Sequence, residues 1–233
     1  MAPSTDPPST AFTDRLVATR RSWHVVAEHV LAAARKRATG HISLRPGPGG
    51  VRTPPLPDGG VIAIAGTHLE VSDAGGIRRG PLTTVRAAAA LAGIEPGFPW
   101  TKHPPGTELR PDDELEVDDA SALVLADWFA LGDRALRELA AGVTPSSAPE
   151  PEIYPEHFDL AITLDEVNYG ASPGDDAFPE PYLYVGPWAG PPKGAAPRPA
   201  YWNAPFGAAR SLTDVPDVDA AVAFLLEGRR LTT

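Results

Sequence analysis

The sequence predicts an α+β protein, a mostly antiparallel sheet with helices packed on one face. Three observations predict it. Residues 10–38 and 118–141 carry apolar side chains at helical spacing, so each makes one buried stripe. Strand-like segments fall into two groups between those helices and a short terminal one at 217–227. The regular strand–crossover–strand alternation of a doubly wound fold is missing.

Element by element, residues 1–9 read as a disordered tail and 10–233 as a single domain. Trp23, Val26, Ala27, Val30 and Ala34 form the first helical stripe, and Gly40 stops it. His41 to Arg45 alternates and reads as a short strand, broken by the Pro/Gly run 46–50. Val61 to Ala65 is a continuous apolar run, and His68 to Ser72 alternates strictly. Between them Gly66 marks a turn or bulge. Pro81 suits a first helical turn, and an Ala-rich helix follows from Thr83 to Leu91. Leu125, Trp128, Phe129, Ala135, Leu136 and Leu139 make the second long stripe, with Asp118 and Asp119 at the positive end of its dipole. Pro/Ser-rich loops are expected at 142–152 and 187–199. Phe158, Leu160, Ile162 and Leu164 share one face of a strand; His157, Asp159, Ala161 and Thr163 share the other. Tyr182 to Val185 is a further strand, and Tyr201-Trp202 starts another.

Composition excludes several functions. The 233 residues include no cysteine, which removes disulfides, thiolate catalysis and zinc ribbons. The charge is −10, from 20 Lys+Arg against 30 Asp+Glu, with no contiguous basic face, so nucleic acid is not the expected partner. The start of the chain has no basic and apolar leader, and no apolar run reaches the roughly 18 residues of a membrane span. The expected compartment is the cytoplasm. A chain of this length buries roughly 70–75% of its unfolded surface without staples.

Two motifs fail on inspection. Gly170-Ala171-Ser172-Pro173-Gly174 spells the G-x-S-x-G of serine hydrolases. That motif needs the N–H after the serine as an oxyanion donor, and Pro173 has none. Ser172 therefore reads as a turn residue in a glycine-permitted loop. His24 and His29 resemble a zinc-protease pair with one residue too many. At ~100° per residue they stand about 140° apart on an undistorted helix. His24 and Glu28, four apart, are placed to pair instead.

The candidate site lies further on. His157 and Asp159, with Asp175, Asp176 and Glu180 on the following loop, could offer oxygen and imidazole ligands to a divalent ion. Tyr182, Tyr184 and Trp188 lie at even spacing, and Tyr201-Trp202-Asn203 follows. Rings with a few polar groups line most small-molecule sites. The binding set is His157, Asp159, Asn168, Asp175, Asp176, Tyr182, Tyr184, Trp202 and Asn203. The competing explanation is ordinary: turn-forming aspartates on a wet sheet face, and bulky rings filling core and rim.

The segments "WHVVAEHVLAAARKRATGHISLRP", "HFDLAITL", "NYGASPGDDAFPEPYLYVGPW" and "YWNAPFG" resemble an uncharacterised family of actinobacterial proteins, over residues 23–226. The resemblance implies no activity and transfers no catalytic residue. Three readings stand. The first is a soluble binding module with a cleft beside 157–164 and 181–188, which requires His157, Asn168 and Tyr184 to line one cavity. The second is a metal-assisted hydrolase using His157, Asp159, Asp175 and Asp176. The third is a protein-interaction partner presenting exposed rings. The sequence names no cofactor, metal or oligomeric state.

Overall fold

The computed structural model describes residues 10–97, 104–143, 148–191 and 201–232. The tail expected at 1–9 lies outside them, as do 144–147 and 192–200 within the two expected loops. The fold is α+β, built on two antiparallel sheets of five strands. One is β1 (Arg45–Gly47), β2 (Gly50–Arg52), β3 (Val61–Ala65), β4 (His68–Asp73) and β5 (Gly76–Pro81). The other is β6 (Glu152–Tyr154), β7 (Asp159–Leu164), β8 (Val167–Ser172), β9 (Tyr182–Pro187) and β10 (Ala208–Ser211). Each is a meander in chain order, every neighbour antiparallel. A bridge between Leu44 and Ile153 joins them at the β1 and β6 edges.

The first helical stretch is α1 (Thr10–Val26), a π-helical turn (Ala27–Ala32) and α2 (Ala33–Thr39), stopped by Gly40 at φ 81°. Leu16, Trp23, Val26, Val30 and Leu31 face the core. Trp23 Nε1 donates to the Gly66 carbonyl, 3.2 Å away, and a Cβ on Gly50 would crowd both the Ile64 carbonyl at 2.5 Å and the Trp23 ring at 3.0 Å. Gly50 is thus the close approach that seats the helix on the first sheet. The π turn was not anticipated. It carries Glu28 into the interior, where its carboxylate accepts from the Gly106 and Thr107 N–H groups and the Thr107 hydroxyl at 2.6–2.9 Å. The expected His24–Glu28 pair does not form, because those three donors satisfy Glu28. His24 donates to the Pro155 carbonyl at 2.8 Å and stacks on Phe158, while His29 donates to Thr107. The two imidazoles serve different loops.

α3 (Val85–Ala92) packs on β4 and β5, and Thr84 caps it by accepting from the Ala87 N–H. α4 (Asp119–Val143) spans both sheets, touching β1, β2, β7 and β8. Asp118 caps it through the Ser121 N–H and hydroxyl, at 2.9 and 2.8 Å. Gly132 lets α4 approach β8 so closely that a Cβ there would fall 2.5 Å from that of Ala171. α5 (Val218–Thr232) packs on α4 and β9. The apolar faces of both sheets and the helical stripes meet in one core cluster.

Several strands went unread. β5 is almost wholly exposed and has no apolar period. β6 has three residues, and β10 lies at 208–211 rather than starting at Tyr201, whose hydroxyl instead donates to the Phe224 carbonyl. β8 runs through what reads as a glycine loop, so Ser172 is its last residue and not part of a free turn. Asp165 and Glu166 join β7 to β8 with φ of 47° and 63°, the left-handed pair of a two-residue hairpin turn. That turn usually announces itself with glycine or asparagine.

Candidate functional site

The candidate site follows from strand alternation in the second sheet. Leu160, Ile162 and Leu164 on β7 point into the core, with Tyr169 and Ala171 on β8 and Leu183 and Val185 on β9. The intervening residues must face outward. Register brings them side by side: Ala161 opposite Gly170, Gly170 opposite Tyr184, Ser172 opposite Tyr182, Asn168 opposite Gly186. On this outer face, with loops folded over it, lies a cavity of about 610 Å³. His157, Asp159, Asn168, Ser172, Asp175, Tyr182, Tyr184, Trp188 and Phe206 are among the residues lining it.

Gly170 makes the central arrangement feasible. A Cβ there would lie 2.4 Å from the Tyr184 ring. Without one, the ring lies across β8 and its hydroxyl donates to the Asp159 carboxylate on β7. Burial pushes the Asp159 carboxyl above the usual carboxylate range, although the Tyr184 hydroxyl and nearby His157 act the other way. Burial, with the adjacent Asp159, raises the Tyr184 phenol well above its ordinary value, so it stays a donor. Phe158 stands between His157 and Asp159 at φ 55°, a left-handed conformation that is uncommon for a bulky side chain. Its ring is fixed by stacking on His24 at 5.0 Å and by edge contact with Phe129 at 5.5 Å. The irregular backbone ends the strand before His157, so His157 lines the cavity from a turn and not from the strand face.

A second carboxylate–phenol pair sits beside the first. Asp175 Oδ1 accepts from the Ala177 and Phe178 N–H groups at 2.7 Å each, and Oδ2 accepts from the Tyr182 hydroxyl at 2.6 Å. Burial and the Asp175 bond push the Tyr182 phenol upward as well. The buried Arg20 guanidinium holds this loop down by donating to the Asp175 and Pro179 carbonyls, 3.2 Å each. The Tyr182, Tyr184 and Phe206 rings form a triangle with centroids 6.1–6.2 Å apart. Trp188 stands at the mouth, 64% exposed, its indole N–H donating to Asn168 at 3.1 Å.

Six residues of the expected binding set therefore line one cavity: His157, Asp159, Asn168, Asp175, Tyr182 and Tyr184. Three do not. Asp176 turns away to Arg21, 3.0 Å distant, in a neighbouring cavity of about 580 Å³ that lines up against α1. Trp202 packs edge-on against Tyr201 at the core margin. The Asn203 amide is spent on the Ala209 N–H and carbonyl, at 2.8 and 3.1 Å, holding the turn before β10. Phe206 and Ser172 were missed. Phe206 is a lone ring in an irregular turn and has no sequence signal; Ser172 has one, its place in the outward alternation of β8. Its Oγ accepts from the Gly174 N–H at 3.1 Å, the local bond of a serine closing a turn. Its carbonyl accepts from Trp128 at 2.7 Å.

Among the described residues no three His, Asp or Glu side chains converge as ligands for one ion. Among them, too, no helix is long and apolar enough to cross a membrane. No protein family, curated protein or solved structure matches the chain.

Proposed function

We propose that this protein is a soluble cytoplasmic binding module that holds a small molecule in the cavity on the outer face of its second sheet. One observation carries the reading. An ordinary wet sheet face leaves its carboxylates in water, whereas here the half-buried Asp159 carboxylate is drawn partly out of solvent beneath the Tyr184 hydroxyl, inside a cavity of about 610 Å³. Burying a carboxylate opposes folding, so its retention in a concave, ring-lined space is more readily explained by a ligand than by stability. The hydrolase alternative draws less support, since its four residues never line one cavity together: Asp159 lines only the second-sheet cavity, Asp176 lines only the neighbouring one that His157 and Asp175 also border, and both oxygens of Asp175 are already bonded.

The test uses a plug. Gly186 lines the cavity, and a Cβ there meets nothing closer than 3.7 Å, so Gly186→Leu should fold and fill the space. A thermal-shift screen with chemically diverse metabolites should find compounds that raise the wild-type Tm but not that of Gly186→Leu. If no compound distinguishes the two proteins, the binding reading fails. A shift with magnesium, manganese, calcium or zinc that Asp159→Asn removes would favour the hydrolase instead.

A further inference from the structure

We propose that the ligand of this cavity is a small organic cation, a compact alkylated ammonium group; this rests on the binding reading above. Apart from His157, the ionisable side chains available to it are acidic. Asp159 and Asp175 line the cavity, and no lysine or arginine does so among the described residues. The chain as a whole carries −10, which draws cations toward it. Aromatic rings add to the same sign, because their faces attract cations through the ring quadrupole. Four rings border the space: Tyr182, Tyr184, Phe206 and the exposed Trp188.

The polar groups argue against the other ligand classes. An anion would meet two carboxylates, with His157 the one basic side chain among the described lining residues. A sugar needs free donors and acceptors, and those here are largely engaged. Asn168 Oδ1 already accepts from Thr163 and Trp188, Asp175 from two N–H groups and a phenol, and both phenols donate to carboxylates. A bare metal ion needs several converging ligands, and no such trio exists among the described residues. What remains on offer is negative potential and ring surface, which suits a poorly hydrated cation.

The test is calorimetric titration of the full chain with choline, with tetramethylammonium and with the uncharged isostere of choline, in which carbon replaces nitrogen. Choline should bind at least about tenfold tighter than its isostere. Trp188→Ala, at an exposed ring, should weaken choline several-fold, and Asp159→Asn should bring choline and isostere close to parity. Gly186→Leu should abolish both. Equal binding of choline and isostere to the wild type overturns the cation assignment, as does failure of both cations to bind. If a neutral compound then binds wild type but not Gly186→Leu, the cavity reading survives and only the cation is lost. If nothing distinguishes wild type from Gly186→Leu, both fall.

Discussion

The two five-stranded meanders share a topology and differ in what stands on their outer faces. In the first sheet that face carries small residues, an ion pair and the exposed Ile77, and neither of the cavities of about 610 and 580 Å³ is lined by it among the described residues. Ala63 lies opposite Glu70, Glu70 opposite Arg79, and the Glu70–Arg79 pair closes at 3.2 Å with both partners partly in water. In the second sheet the corresponding cross-strand row is Ala161, Gly170 and Tyr184, and the Tyr184 ring crosses the glycine to reach the half-buried Asp159 carboxylate further along β7. An acid with a basic neighbour is ordinary surface design. An acid whose nearest donor is a phenol, inside a cavity, is held against its own solvation. The contrast separates a face of ion-paired groups in water from a face that carries a ring-lined cavity, the site proposed above for a ligand.

Five substitutions sharpen the contrast. The largest effect is expected at Gly170→Ala, whose new methyl would collide with the Tyr184 ring. Overpacking of this kind costs about 1–3 kcal/mol, and urea unfolding should show it. Ala63→Val, on the outer face of the first sheet, should stay within about 0.5 kcal/mol. Next come two carboxyl groups whose pKa shifts run in opposite directions. Asp118 is held below its ordinary pKa by the Ser121 N–H and hydroxyl. A lowered folded-state pKa gives stability that is present above the unfolded value and lost as pH falls through the folded one. Asp118→Ala should therefore cost about 1 kcal/mol at neutral pH, with the difference fading in acid. Asp159 is raised by burial, so its contribution runs the other way, favourable below the unfolded pKa and lost as pH rises through the folded one. Asp159→Asn should accordingly raise Tm at neutral pH, with the gain vanishing in acid, even as it damages binding. A small loss is expected at Glu70→Ala, which breaks an exposed ion pair worth about 0.2–1 kcal/mol, reduced further by salt.

The same contrast explains what could be read in advance. Helical stripes around Trp23 and Trp128 and the alternation of β3, β4, β7 and β9 are local periodicities, and the structure keeps them. Outward alternation also placed Asp159, Tyr182 and Tyr184 together, since residues on one face of paired strands are neighbours. The unread parts depend on partners distant in the chain. β8 is a strand because β7 and β9 flank it and because the Tyr184 ring occupies the space above Gly170; its own residues suggest a loop. The π turn at 27–32 is fixed by loop residues 106 and 107, which bond Glu28 from nearly 80 positions away. Phe206 joins the ring triangle only because the turn before β10 folds back over β9. Trp202 and Asn203 suggest a ring and a polar group by residue type and by lying beside a strand-like start at Tyr201, and neither feature sets direction outside regular structure.

The most direct test of the central claim is the indole N–H spectrum of the 15N-labelled protein during titration with choline. Trp188 is at the cavity mouth and donates to Asn168, while Trp23 and Trp128 are 0% and 1% exposed in the core. The Trp188 cross-peak, assigned through Trp188→Phe, should move saturably, and those of Trp23 and Trp128 should stay. A saturable response that bypasses Trp188, or one that appears on the amides of β3 to β5, would contradict the assignment of the site to the second sheet.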